Sequence, residues 1–234
     1  MNSDRLDIDR VVFVGRTLSE YKEFLDLDLD SLKGSKVLDC PSGPSSFVTE
    51  ANRIGIKAIG CDAFYDLPLE ELVSKGLKDI SHVIERLSEK MHLFKWDYYS
   101  SVDEVKELRT RALKLFEEDF QIGLREERYV KASLPLLPFT DGSFELVLSA
   151  HFLFIYDDKL DYEFHLNSIL ELGRVCSGEV RIYPLQSMNA RIYPHMDKLM
   201  NDLKEGGLEA RIVEVGFEFL RGSNYMLQIK RANL

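Results

Sequence analysis

No apolar run in this chain approaches the roughly 20 residues that cross a bilayer, so the sequence predicts no membrane-spanning helix and a soluble protein. The first ten residues, Met1 to Arg10, carry Asp4, Asp7 and Asp9 and lack the basic stretch and apolar centre of a secretion signal, which leaves a cytoplasmic location as the expectation. Cysteine is scarce: Cys40, Cys61 and Cys176 are odd in number, widely spaced and without a CxxC pair. That excludes a disulfide framework and a zinc site, and the three read as reduced core thiols with no metal expected. Positive charge is short as well. Thirty Lys and Arg stand against forty Asp and Glu, a formal net charge of −10, and no basic stripe interrupts it. A phosphate backbone would be repelled, so nucleic acid is not an expected partner. Internal repeats and low-complexity stretches are absent. What is there is 45% hydrophobic residues in 234, enough for one packed α/β domain spanning 1–234.

Thr17-Leu18-Ser19-Glu20 has capping-box spacing, and Leu18, Tyr21, Phe24 and Leu25 recur at helical intervals after it. Lys36 to Cys40 then reads as a short buried strand, Pro44 to Ile54 as a helix with proline near its first turn, and Lys57 to Cys61 as a second strand. Strand, helix and strand at this spacing form a βαβ unit, which requires a parallel sheet with a right-handed crossover. From Asp66 to Arg128 the pattern becomes charged and helix-favouring, with Val102, Val105, Leu108, Ala112, Leu115, Phe116 and Phe120 along one face. This stretch, 66–128, reads as a helical insertion. Ser101-Val102-Asp103-Glu104 opens its second helix, and an aromatic connector with Trp96, Tyr98 and Tyr99 precedes it.

Strands are expected again at Tyr129 to Ala132 and Phe144 to Ser149, a helix at Asp157 to Leu172, a strand at Gly178 to Tyr183 and a helix at Tyr193 to Leu203. The chain should close with a hairpin. Val213, Val215, Phe217 and Phe219 alternate with polar residues or glycine, and Arg221-Gly222-Ser223-Asn224 turns into Tyr225 to Lys230. The predicted fold is thus α/β: a Rossmann-like, seven-stranded, mostly parallel sheet with an antiparallel C-terminal hairpin strand, helices on both faces, and the insertion after the second strand.

Asp39-Cys40-Pro41-Ser42-Gly43-Pro44-Ser45 falls where the first strand meets the first helix of that unit, the place where open α/β sheets bind ligands. A dinucleotide fingerprint needs three glycines for close approach of a pyrophosphate, and this loop has only Gly43. That weighs against NAD(P) or FAD. S-adenosylmethionine (SAM) has no phosphate and tolerates the loss. Ile59-Gly60-Cys61-Asp62 puts a carboxylate at the end of the second strand, near the roughly 20-residue spacing from Asp39 expected of a ribose-binding acid.

Asp39 and Gly43 among small residues resemble motif I of the class I SAM-dependent methyltransferases, with Pro41 and Ser45 where that family usually has glycine. Leu137-Pro138-Phe139-Thr140-Asp141-Gly142-Ser143-Phe144-Glu145-Leu146-Val147-Leu148-Ser149 resembles the family's loop and entry into strand four. Gly15-Arg16-Thr17, Ala150-His151-Phe152-Leu153-Phe154 and Arg181-Ile182-Tyr183-Pro184 are similar to segments of a subgroup of that family carrying a helical insertion. The resemblance implies SAM as cofactor and a small-molecule methyl acceptor. It implies a cofactor site at Asp39, Pro41, Ser42, Gly43, Ser45, Asp62, Ala63, Ser133, Leu134, Ser149 and Ala150, with Ser133 where the family commonly has an acid near the adenine.

Methyl transfer from a sulfonium asks mainly for alignment and exclusion of water, so few side chains need do chemistry. His151 reads as a general base, a lining residue of the cofactor's methionine end or a hydrogen-bonded core histidine, and Tyr156 as a second candidate for catalysis. Arg16 fits the cofactor carboxylate or a surface ion pair. Trp96, Tyr98, Tyr99 and Tyr183 are candidates for an acceptor wall or lid, with core packing as the alternative. The other histidines read as packing or surface residues. A non-catalytic SAM-binding regulator and, more remotely, an NAD(P)-dependent oxidoreductase are the competing functions.

Overall fold

The computed structural model describes residues 8–232, so most of the acid-dotted start read above, Met1 to Arg10, lies outside the described residues. The first helix, α1 (Leu18–Phe24), carries the expected capping box: the Thr17 side chain accepts from the Glu20 N–H, and the Glu20 carboxylate accepts from the Thr17 N–H at 2.9 Å. Strand β1 (Lys36–Asp39), helix α2 (Phe47–Arg53) and strand β2 (Lys57–Asp62) make the βαβ unit. Helix α2 begins at Phe47 rather than Pro44. The Ser45 hydroxyl is turned to Asp39 (3.2 Å) and the Ser46 N–H donates to the Arg16 carbonyl (3.1 Å), which holds the chain in a loop before the helix can start.

The insertion is two long helices, α3 (Leu69–Glu89) and α4 (Val102–Arg125), the latter capped by Ser101 as its spacing implies. They pack closely where Gly76 faces Leu113. Val105, Ala112, Phe116 and Phe120 are the buried residues of the expected face of α4, and Phe116 and Phe120 meet Tyr65 and Tyr129 at the β2–β3 side of the sheet.

Strands β3 (Tyr129–Lys131) and β4 (Phe144–Ala150), helix α5 (Tyr162–Val175), strand β5 (Cys176–Tyr183), helix α6 (Met196–Glu205) and strands β6 (Leu208–Glu214) and β7 (Tyr225–Arg231) complete the chain. Helix α5 starts after Asp161, whose carboxylate accepts from the Phe164 N–H (2.8 Å), and not at Asp157. The seven strands lie in the order β3-β2-β1-β4-β5-β7-β6, parallel except that β7 runs against both neighbours. Val37, Leu146 and Leu148 enter the core beneath α1 to α4, while Leu38 and Val147 enter the one beneath α5 and α6, the period-2 pattern of a sheet covered on both faces. Among the described residues no helix is long and apolar enough to cross a membrane.

The closing hairpin differs from its sequence pattern. Strand β6 ends at Glu214, so Val215, Phe217 and Phe219 do not lie in it. They belong to an excursion from Val215 to Asn224, closed by the Val215 N–H donating to the Asn224 carbonyl (2.8 Å). The alternation reported burial, but the burying surface is the aromatic connector: the Lys95 N–H donates to the Phe219 carbonyl (2.7 Å), the Arg221 N–H to that of Leu93 (3.0 Å), and the Phe94 and Phe219 rings sit 4.6 Å apart.

Candidate functional site

The loop after β1 and the end of β2 are sewn together by the Asp62 carboxylate, which accepts from the Gly43 N–H and the Phe64 N–H, both at 3.0 Å. Burial raises the Asp62 pKa and these two N–H groups oppose the rise. Gly43 has φ of +52°, and a Cβ there would meet only the Phe13 ring, in ordinary contact at 3.9 Å. Beside it lies a cleft of about 240 Å³ over the strand ends, lined by Arg16, Pro41, Ser42, Gly43, Asp62, Ala63, Ser133, Leu134 and Ala150 together with His151 and Tyr156.

Asp39, Ser45 and Ser149 do not line it. They are buried one layer behind, where the Tyr21 hydroxyl (3.0 Å) and the Ser45 hydroxyl donate to Asp39. Burial is the largest influence on Asp39, and with nearby Asp62 it lifts the carboxyl to about 7 against those hydrogen bonds. Asp39 thus holds a negative charge at a cost that a cation in the cleft would lower.

The opposite wall was not foreseen. Val12, Phe13 and Val14 cross beside the cleft as an extended strap, because the Phe13 N–H donates to Asp79 on α3 (2.8 Å), Arg10 pairs with the same carboxylate (2.8 Å), and the Val12 N–H donates to the Tyr156 hydroxyl (3.1 Å). Gly15 lets the strap touch the β1 loop, since a Cβ there would lie 2.0 Å from the Pro44 carbonyl oxygen. The apolar run Val11 to Val14 ending in a glycine was the available signal, but five residues carry too little periodicity to place a segment.

A second cavity, of about 120 Å³, adjoins the cleft and shares Val12, Val14, Arg16, His151 and Tyr156 with it. Its far side is Phe94, Tyr99, Tyr183, Phe217 and Phe219. Of the aromatic candidates, Tyr99 and Tyr183 therefore line it. Trp96 and Tyr98 do not: Trp96 donates its indole N–H to the Met91 carbonyl (3.1 Å) and packs on the outer side of Phe94 and Phe219, and Tyr98 lies partly exposed against Phe217. Tyr99 is also tied behind the wall, where its hydroxyl and Arg109 (2.6 Å) both donate to the buried Glu20. Burial opposes the charge of Glu20, and Arg109, the Thr17 N–H, the Tyr99 hydroxyl and Arg16 together outweigh it, holding the carboxyl below its ordinary range.

His151 stands at the junction, in a left-handed backbone conformation (φ 53°) at the end of β4, between the rings of Phe24 and Tyr183. Its buried Nδ1 has no hydrogen-bond partner among the described residues, which sets it apart from a satisfied core histidine. His165, on α5, is such a residue, with both ring nitrogens on backbone carbonyls. Burial, with Arg16 and Arg109, lowers the His151 pKa well below 6.5, so the imidazole is neutral and able to take a proton. Tyr156 differs: burial raises its pKa, and it keeps its proton and accepts from Val12, the part of a donor and not of a base. Arg16 makes no surface ion pair among the described residues.

This sheet order with one reversed strand, and a cleft at the β1 and β2 ends, define the Rossmann-like fold of the class I SAM-dependent methyltransferases. No family model matches the sequence. The chain belongs to the same family as the uncharacterized protein MJ0045 of Methanocaldococcus jannaschii, with 35% identity over 227 residues that cover 97% of this chain and 99% of the relative. Among solved structures it is similar to a TehB-like SAM-dependent methyltransferase from Corynebacterium glutamicum (15% identity, 87% and 84% of the two chains, TM-score 0.47). It is similar also to magnesium protoporphyrin IX methyltransferase from Synechocystis, solved with bound SAM (12%, 92% and 78%, TM-score 0.46).

Proposed function

We propose that the chain is a SAM-dependent methyltransferase acting on a small-molecule acceptor. The observation that carries this is the junction: a cleft at the ligand-binding end of the sheet adjoins a second, ring-lined cavity, and His151, whose Nδ1 has no hydrogen-bond partner among the described residues, lines both. The residues suit the cofactor. Asp62 keeps lone pairs for a ribose diol, Gly43 leaves room at the turn, Phe13, Phe64 and Leu134 offer apolar surface, and the buried acid Asp39 favours a cation nearby.

Bound SAM would supply a methyl group already activated by its sulfonium. The protein's own work is then to exclude water with the strap and the aromatic wall, to orient the acceptor, and to offer the neutral His151 imidazole as a transient acceptor, on its way to solvent, for the proton that an oxygen or nitrogen acceptor loses as it gains the methyl. The small volume of the second cavity, about 120 Å³, favours a small acceptor over a polymer.

Calorimetric titration with SAM and S-adenosylhomocysteine, followed by a methyl-transfer screen over metabolite pools, tests the reading. Asp62→Asn should weaken S-adenosylhomocysteine binding by about 1.5–3 kcal/mol, the scale of charged hydrogen bonds lost. Asp62→Ala should also lower stability, because it strands both the Gly43 and Phe64 N–H groups, and Asp62→Asn should lower it less, because its amide nitrogen replaces the acceptor of only one. Binding without turnover in every acceptor pool would favour a regulatory SAM binder, and unaltered affinity in folded Asp62→Asn would remove the cleft assignment. With an acceptor in hand, the rate should stay level through neutral pH and fall only well below pH 6.5, as His151 protonates; a fall centred near 6.5 would point to another base.

A further inference from the structure

The second cavity carries charge of one sign. Arg16 and Arg109 line it, no Asp or Glu does, and the remaining titratable groups are the neutral His151 and the protonated Tyr99, Tyr156 and Tyr183. Arg109 is answered by Glu20 at 2.6 Å. Arg16 is not: among the described residues no carboxylate lies within ion-pair distance of its guanidinium. Burial and the neighbouring Arg109 lower its pKa to about 10, which still leaves a cation at neutral pH. Glu20 offsets this only in part and from beyond ion-pair distance, so an anion arriving from outside in direct contact with Arg16 would relieve a largely desolvated cation. The rest of the lining is apolar and rich in rings. At about 120 Å³ the cavity is near the size, roughly 150 Å³, of an engineered cavity in another protein that takes one benzene molecule.

We propose that this cavity binds a single-ring organic anion, its oxyanion paired with Arg16 and its ring among Phe94, Phe217 and Phe219, and that the methyl acceptor belongs to this class. The second clause rests on reading the adjoining cleft as the cofactor site; the anion site itself does not. A cationic amine is disfavoured because it would meet the unpaired guanidinium of Arg16 and no carboxylate in the lining.

Benzoate, benzamide and benzylammonium, equal in ring and different in charge, are the probes, titrated by calorimetry into the full chain with and without S-adenosylhomocysteine. Benzoate should bind at least tenfold tighter than benzamide, and benzylammonium should give no binding heat. Arg16→Gln should lower benzoate affinity at least tenfold and Arg16→Lys should recover part of it. Equal affinity for the three probes, or preference for the cation, overturns the proposal. So does an Arg16→Gln protein that binds benzoate normally and S-adenosylhomocysteine tenfold more weakly, because the guanidinium would then serve the cofactor carboxylate. If Arg16→Gln does not fold, the three probes on the native chain decide alone. Charge-selective benzoate binding without any S-adenosylhomocysteine binding would keep the anion site and remove the cofactor reading.

Discussion

Asp39 shows how one side chain can be legible in kind and misjudged in place. Its position at the end of β1 marked it as a ligand-side acid, yet it is buried behind the cleft and bound to Tyr21 and Ser45. The chemistry that follows is electrostatic. An Asp unperturbed near 3.8 and lifted to about 7 keeps its proton in the folded chain over a range where the unfolded chain loses it, so this group's contribution to stability falls as pH rises from about 4 to 7. Asp39→Asn removes that dependence. The melting temperature of the variant minus that of the native protein should therefore be more positive at pH 8 than at pH 5, and a difference that does not change with pH would mean that Asp39 is ionised at little cost. Asp62, by contrast, was legible in both respects, because a carboxylate closing a strand next to the switch point has its direction set by the pleat.

Elements were legible where the pattern and the partner were both local. The capping box at Thr17 and the cap at Ser101 gave α1 and α4, and the Asp-Gly turn before Phe144 gave β4, because each is decided within a few residues. Helix α2 and the hairpin were displaced because their limits are set from far away: the Arg16 carbonyl holds Ser46 out of the helix, and the aromatic connector buries Phe217 and Phe219 outside the sheet. The strap is the extreme case, an apolar run fixed by Asp79, Tyr156 and the Pro44 carbonyl, none of them near it in sequence. It yields a paired prediction. Gly15→Ala pushes a Cβ into backbone and should cost about 1–3 kcal/mol in denaturant unfolding and displace the strap. Gly43→Val puts its branch into the cleft at a left-handed position, and should abolish S-adenosylhomocysteine binding while costing the fold only about 1–2 kcal/mol. Similar losses of stability and binding in both variants would deny the two glycines separate parts.

At the scale of the whole molecule, the α/β alternation was enough to give the sheet, since a βαβ unit admits one handedness and buries both faces. How the insertion attaches was not legible. Its helices join the core under α2 and β3, and its connector is laced to the hairpin loop, the two ends of the chain meeting through the middle. Trp96, the single tryptophan, stands at that seam. Its fluorescence and the far-ultraviolet circular dichroism should report one coincident transition in denaturant, as for a single cooperative unit. An earlier fluorescence transition would mark the insertion as a separately melting part.

The wall that the two cavities share, from Val12 to Arg16 with His151 and Tyr156, makes their occupants accountable to each other. By linkage, whatever factor a ligand on one side contributes to affinity on the other is returned in full. Arg16 would fix the sign if both proposed ligands bind: an anion that neutralises the guanidinium would remove its repulsion of a sulfonium across the partition, so the two should recruit one another. If the cleft holds SAM as proposed, loss of the methyl would leave a neutral sulfur and remove that attraction, so products would part more easily than substrates.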